Sequence, residues 1–182
     1  MSEATDRYTR VAAEFDQRVQ AVPADKWDAP SPCAEWKARD IVAHVSRNYR
    51  SMAAAATGSE AAEPAADEDP VAAWTDAYQR MMTLAADPDM LSKPVNGPTG
   101  PVPLEQALGT LMSMDTNVHT WDLARAVGGD ERLDPDVVEL TWEMLQPMDE
   151  MIRIPGVFGP KLDPPAGADA QTRLLYFLGR RA

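Results

Sequence analysis

The chain of 182 residues contains one cysteine, two histidines and no long apolar run. A single cysteine excludes an internal disulfide. The lack of disulfides is typical of proteins in a reducing compartment. No stretch approaches the roughly 20 apolar residues that a membrane-spanning helix needs. The first residues, MSEATDRYTR, have no apolar segment of the kind that a secretory signal carries. We therefore expect a cytoplasmic protein with no membrane partner.

Basic residues are also scarce. The 17 lysines and arginines stand against 29 acidic residues, for a formal net charge of −12. Nucleic-acid binding requires a basic face that neutralises phosphates, so this class of protein is excluded. The hydrophobic fraction of 45% and the charged fraction of 25% are ordinary for a globular protein. At roughly 150 residues per domain, the length predicts a single domain over residues 1–182.

Apolar residues recur at helical spacing along most of the chain, and no segment alternates with the period of a strand over a useful length. The four long helices favour an all-α fold, an antiparallel four-helix bundle with additional C-terminal helices. A short hairpin around Asn96-Gly97 is compatible with the proline-rich segment 87–103. The predicted helices cover 7–22, 36–56, 71–85 and 103–128, then one that opens at Asp134-Pro135, and a last one over 170–180.

Both histidines follow an aspartate by four residues, as Asp40-x-x-x-His44 and Asp115-x-x-x-His119. Side chains four residues apart lie on one face of a helix, where a carboxylate and an imidazole can hold one metal ion. The apolar stripe of the fourth long helix also places Asp115 and Asp122 toward the interior of the bundle. A buried carboxylate is costly unless it is paired, hydrogen-bonded or bound to metal, so these positions suggest a metal site.

The same residues also permit structural interpretations. Each histidine could be a hydrogen-bonded core residue, and Asp122 could form an intrahelical ion pair with Arg125. Asp40 could act as a favourable charge at the start of its helix. If the metal site exists, Asp40 and Asp122 are candidates to orient an imidazole. We interpret Cys33 as an inert thiol in a turn, because the sequence shows no base or cation near it.

Two segments carry a resemblance to a known family. The first, WDAPSPCAEWKARDIVAHV, contains Ser31-Pro32-Cys33, Trp36, Asp40 and His44 in a characteristic order. The second, MDTNVHTWDLARAVG, has an acid-x-x-x-His pattern followed by Trp-Asp-Leu-Ala. Together they resemble the DinB-like superfamily and, more narrowly, the metal-binding domain of the mycothiol-dependent maleylpyruvate isomerase family.

This resemblance implies His44, Asp115 and His119 as the ligands of a divalent metal, with zinc favoured over nickel or iron. The isomerase has glutamate at the acid position, where this chain has the shorter Asp115. The resemblance also implies mycothiol as a cofactor, a small-molecule thiol or substrate as the partner, and a thiol-dependent transferase or isomerase as the activity. The isomerase carries a further C-terminal domain that this chain does not show, so we expect a different reaction here.

Two other functions remain open at this point. One is a non-catalytic metal- or ligand-binding protein of the same fold, and the other is a helical protein whose histidines are structural. The sequence leaves the oligomeric state open, with a homodimer as one candidate assembly.

Overall fold

A computed structural model describes residues 2–62, 65, 68–97, 100–153 and 158–182. The chain forms two compact units, Met1–Glu131 and Arg132–Ala182. The prediction of a single domain over 1–182 stays a prediction. Among the described residues, none of the helices combines the length and apolar character that crossing a membrane requires.

The described residues of the first unit form four long and two short helices, α1 (Glu3–Gln20), α2 (Ala38–Thr57), α3 (Pro70–Ala85), α4 (Pro88–Leu91), α5 (Leu104–Ala107) and α6 (Ser113–Val127). The long helices are α1, α2, α3 and α6. Helix α2 packs against α3 and α6, and α1 packs against the same two helices. The predicted all-α fold with a four-helix bundle is therefore confirmed, as are the additional C-terminal helices.

Local sequence signals fix the ends of these helices. The Asp69 side chain accepts a hydrogen bond from the backbone of Ala72 at 2.9 Å, which caps α3. Helix α1 begins at Glu3, ahead of the predicted start at residue 7, because the Ser2 side chain caps it. Helix α2 ends where Gly58 adopts a left-handed conformation with φ of 69°, as is typical of glycine after a helix.

Aromatic side chains fill the core between α1, α2 and α3. The Trp74 ring meets the rings of Phe15 and Tyr49 edge-on, at centroid distances of 4.7 and 4.8 Å. All three side chains are fully buried. Edge-to-face pairs of this kind contribute about 0.5–1.5 kcal/mol each beyond the burial of their area. These three side chains thus form an aromatic part of the hydrophobic core of the bundle.

A hairpin connects α4 to α5. Strands β1 (Pro94–Gly97) and β2 (Gly100–Pro103) pair antiparallel, with Val95 opposite Val102. The hairpin expected around Asn96-Gly97 is present, but these two residues lie in β1 itself. Residues 98–99, which connect the two strands in the sequence, lie outside the described residues.

The helix predicted over 103–128 is present over residues 104–127, but it is not α-helical throughout. A π-helical turn, Leu108–Met112, separates α5 from α6. The wider turn leaves Leu111 half-buried and buries Met112 instead. A Cβ added at Gly109 would lie 2.5 Å from the Cβ of Ala4, so only glycine allows α1 to approach this closely. Such turns occur frequently at functional sites.

The second unit contains three short helices, α7 (Pro135–Leu145), α8 (Asp149–Ile152) and α9 (Ala170–Phe177). Asp134 caps α7 ahead of a proline in the first turn, as predicted. Pro147 lies in a 3₁₀ turn that ends α7. The rings of Trp142 and Phe177 meet edge-on at 5.3 Å. Helix α9 stops short of the predicted residue 180, and Gly179 then adopts a φ of 82°.

Candidate metal centre

Helices α2 and α6 bring the three predicted ligands together. His44 lies on α2, and Asp115 and His119 lie one turn apart on α6. The Oδ1 atom of Asp115 is 3.4 Å from His44 Nε2 and 3.6 Å from His119 Nε2. One ligand atom from each side chain lies within 4.8 Å of the other two. Side chains separated by 71 positions in the sequence thus point their donor atoms at a common space.

The cluster is accessible on one side. The side chains of His44 and Asp115 are 27% and 32% exposed, whereas that of His119 is 10% exposed. A small ligand or water can therefore reach the two outer donors, while His119 closes the inner end.

Asp122 orients His119 from behind. Its carboxylate is fully buried and lies 2.9 Å from His119 Nδ1. When Nδ1 donates its hydrogen to Asp122, the lone pair of the ring is on Nε2, the nitrogen that faces Asp115. This is the arrangement by which carboxylates fix the tautomer of metal-binding histidines. Arg125, the alternative partner considered for Asp122, forms an ion pair with Glu131 at 3.0 Å.

Asn48 contributes to the cluster and was missed by the sequence reasoning. Its amide nitrogen donates to Asp115 Oδ2 at 2.9 Å and lies 3.1 Å from His44 Nε2. Asn48 therefore lies next to the His44 nitrogen that a cation would also bind. The signal in the sequence was its position four residues after His44, on the same face of α2.

The charges in the cluster shift its pKa values. Burial raises the pKa of Asp115, but the charge of His119 and hydrogen bonds from His44 and Asn48 outweigh it and hold this pKa below its ordinary value. Burial lowers the pKa of His119, whereas Asp115, Asp122 and Cys33 raise it, to about 10 overall. In the absence of metal, His119 is therefore an imidazolium near neutral pH.

A short loop before α2 adds two further side chains. Ser31 donates its backbone N–H to Trp36 at 2.9 Å, and Glu35 adopts a left-handed φ of 67°. The Trp36 ring lies 5.0 Å from the His44 ring and 6.0 Å from the His119 ring. The indole therefore covers one side of both imidazoles.

The loop also places Cys33 beside the cluster. Its thiol donates to Asp122 Oδ2 at 3.4 Å. Cys33 was interpreted as inert because the sequence shows no base or cation near it, and that reason is corrected here, since Asp122 and His119 are both its neighbours. Sequence reasoning missed this contact since it joins residues 89 positions apart.

Asp40 has a different environment from Asp115. Its Oδ2 accepts a hydrogen bond from the backbone N–H of Lys37 at 2.8 Å, at the start of α2. This contact supports the interpretation of Asp40 as a residue that stabilises the helix end.

Comparison with known proteins identifies relatives with this architecture. The family model described as the mycothiol maleylpyruvate isomerase N-terminal domain matches residues 8–124, which include both aspartate–histidine segments. Uncharacterized proteins from two strains of Mycobacterium tuberculosis are 32% identical to the chain over 130 residues. That alignment covers 71% of this chain and 70% of each relative.

Solved structures show the same fold. The crystal structure of the mycothiol-dependent maleylpyruvate isomerase superposes with a TM-score of 0.56 at 18% identity, over 81% of this chain and 68% of that one. A mutant of that isomerase superposes with a TM-score of 0.58 at 16% identity over the same shares. The resemblance found in the two sequence segments is confirmed, and the chain belongs to the mycothiol maleylpyruvate isomerase N-terminal domain family.

Proposed function

We propose that this protein binds one divalent metal ion through His44, Asp115 and His119, and acts as a thiol-dependent transferase or isomerase of the mycothiol type. The observation that carries the proposal is the convergence of two imidazole nitrogens on one carboxylate oxygen, at 3.4 and 3.6 Å. The membership of the family supports the thiol chemistry. We place this activity in the cytoplasm, as expected for a chain with one cysteine.

The donor set fits a divalent metal. Zinc bonds of about 2.0–2.1 Å in tetrahedral geometry separate the ligand atoms by about 3.4 Å. The observed distances of 3.4 and 3.6 Å meet this requirement with little movement. Two imidazoles and one carboxylate also suit nickel and ferrous iron, and we propose zinc as the first candidate.

Three protein ligands leave a coordination position for an external group. A divalent metal held by His44, Asp115 and His119 would supply Lewis acidity that stabilises a thiolate over a thiol near neutral pH. Asp115 contributes one negative charge to the site, so the positive charge that remains favours an anionic sulfur ligand.

The residues around the ligands define how a thiol would be held. Asp122 keeps the Nε2 atom of His119 directed at the site through the 2.9 Å contact to Nδ1. The partly exposed edge of the cluster, at His44 and Asp115, gives the thiol its route of entry. Trp36, whose ring lies 5.0 Å from that of His44, offers an apolar surface to the carbon atoms next to the sulfur.

The test uses a variant without a thiol of its own. Cys33 is the single cysteine of the chain, so in Cys33→Ser every thiol comes from the added ligand. We expect this variant, reconstituted with cobalt, to show an intense near-ultraviolet charge-transfer band when mycothiol is added, together with release of a proton. The matched control is the double variant Cys33→Ser with Asp115→Asn, in which the band should be absent.

Elemental analysis after reconstitution with zinc, nickel or ferrous iron should give one metal per chain, and a value near zero would reject the metal site. One metal per chain without a band at millimolar mycothiol would reject the thiol chemistry. The non-catalytic metal-binding function would then describe the protein.

A further inference from the structure

A second group of donor atoms lies on the opposite edge of the His119 ring. The Sγ atom of Cys33, the carboxylate of Asp122 and a nitrogen of His119 all lie within 4.8 Å of one another. Asp122 Oδ2 is the central atom of the group, at 3.4 Å from Cys33 Sγ and 2.9 Å from His119 Nδ1. Sulfur, nitrogen and oxygen donors therefore converge at a point distinct from the space between His44 and Asp115.

The surrounding structure holds these donors in place. Asp122 is 0% exposed and His119 is 8% exposed, so neither side chain has room to turn toward solvent. Cys33 is held by a turn in which Ser31 Oγ accepts its backbone N–H at 3.2 Å. The bridge between Pro30 and Lys37 closes the base of the same loop. The approach of Cys33 to Asp122 is thus built into two elements, the loop and α6.

We propose that Cys33, His119 and Asp122 form a second metal site, selective for a thiophilic divalent cation. A thiolate and a carboxylate provide two negative charges, which match the charge of the cation, and a neutral imidazole completes the set. The thiolate gives this site a soft donor that the set of His44, Asp115 and His119 lacks, and soft ligands select for thiophilic metals.

The distances suit this role. Bonds of about 2.3 Å to sulfur and 2.0–2.1 Å to nitrogen and oxygen place sulfur about 3.6 Å from the carboxylate oxygen. The observed 3.4 Å between Cys33 Sγ and Asp122 Oδ2 is close to that value. The contact of 2.9 Å between His119 Nδ1 and Asp122 must lengthen by about half an ångström once metal replaces the shared hydrogen.

Sharing of His119 makes the two sites competitors. The first site uses Nε2 and keeps the hydrogen on Nδ1, where Asp122 accepts it. The second site uses the lone pair of Nδ1 and leaves the hydrogen on Nε2. A neutral imidazole has one lone pair on its ring nitrogens, so one ion per chain is held at a time. A thiophilic cation at the second site would therefore displace the metal on which the proposed function depends.

The test is a cadmium titration without any added thiol, in the Asp115→Asn variant that lacks an acid ligand of the first site. We expect an ultraviolet cadmium–thiolate absorption that saturates at one equivalent per chain. The variants Asp115→Asn with Cys33→Ser and Asp115→Asn with Asp122→Ala should lack it at one equivalent. Loss in the second of these separates a built site from a lone cysteine, because Cys33 is still present. Far-ultraviolet circular dichroism checks that each variant is folded.

If Asp115→Asn does not fold, His44→Ala replaces it, because this variant also removes a proposed ligand of the first site and leaves Cys33, His119 and Asp122 unchanged. Absence of the absorption, or its persistence in the Asp122→Ala background, would overturn the second site. Saturation at two equivalents in the wild-type chain would overturn the competition. None of these results depends on the cobalt experiment, which uses a chain without Cys33.

Discussion

The two aspartate–histidine segments have the same spacing and different uses. In both α2 and α6 the aspartate is the third residue of the helix, Asp40 in one and Asp115 in the other. Asp40 accepts the backbone N–H of Lys37 at 2.8 Å. Asp115 instead lies between the two histidines, at 3.4 and 3.6 Å from their Nε2 atoms.

The difference arises from what precedes each helix. Helix α2 follows a loop, so its first backbone N–H groups need partners outside the helix, and Asp40 supplies one. Helix α6 continues from α5 and the π-helical turn, so its first N–H groups are already bonded within helical turns. Asp115 is therefore free to turn its carboxylate toward α2. Equal spacing in the sequence predicts a shared helix face, but the start of the helix decides which carboxylate reaches the cluster.

The largest expected effect is on metal binding by Asp115. In the Cys33→Ser background, which lacks the sulfur donor of the second site, Asp115→Asn should reduce metal content from one ion per chain to near zero, because it removes the negatively charged group at the centre of the cluster. His44→Ala and His119→Ala should each remove most binding in the same background. Elemental analysis after zinc reconstitution and gel filtration measures this. Retention of a full equivalent by the double variant Cys33→Ser with Asp115→Asn would show that the two aspartates do not differ as proposed.

The sequence predicted which three side chains meet in the cluster, but not what surrounds them. Local spacing within single helices and a family resemblance both pointed to His44, Asp115 and His119, and their role as metal ligands stays a prediction. Cys33, Asn48 and Trp36 were not assigned to the cluster. Cys33 reaches Asp122 only because a loop with a left-handed Glu35 closes over the end of the bundle, and single-helix periodicity contains no information on such a contact.

In the fold, too, the features set by local sequence were predictable, whereas a feature that depends on a tertiary contact was not. Apolar periodicity located the long helices and a capping residue located the start of α7, since these signals lie within a few residues of one another. The π-helical turn at Leu108–Met112 was missed, and it coincides with the close approach of Gly109 to Ala4 in α1. That contact depends on the tertiary structure, whereas the helical pattern of Leu104 and Leu108 continues unchanged up to the turn.

The pH dependence of metal binding is the next largest effect and tests the charge in the α6 segment. The pKa of His119 is raised to about 10, so below that pH the metal must displace one proton from the ring. The apparent affinity for zinc should therefore rise about tenfold per pH unit, or about 100-fold between pH 6 and 8. The lowered pKa of Asp115 keeps that carboxylate ionised throughout this range.

Competition with a chromophoric chelator at each pH measures the affinity. Asp122→Asn is the matched variant, because loss of this carboxylate removes one of the groups that raise the pKa of His119. Its pH dependence should be shallower than that of the wild type. An affinity that is flat with pH in the wild type would contradict the imidazolium state of His119.

A smaller effect is expected where a carboxylate acts through a ligand. Asp122→Ala removes the 2.9 Å contact to His119 Nδ1 and leaves all three ligands in place. Loss of such an orienting partner typically weakens metal binding by about 10–100-fold. Zinc affinity measured by competition should fall by this factor, with binding still detectable at higher zinc concentration. Complete loss in Asp122→Ala, with binding retained in Asp115→Asn, would move the ligand assignment to Asp122.

The smallest effect is expected for Asp40, and it completes the comparison. Asp40→Ala removes the acceptor for the Lys37 N–H and a negative charge at the start of α2, which should lower the free energy of unfolding by about 1 kcal/mol. For a chain of this length, the midpoint of thermal unfolding should fall by about 2–4 °C. Asp40→Asn keeps an oxygen that can accept the hydrogen bond, so its loss should be smaller. Both variants should hold one zinc per chain with unchanged affinity, because the Asp40 carboxylate is committed to the helix start. A tenfold loss of zinc affinity in Asp40→Ala, measured on the folded protein, would mean that the two segments share one role after all.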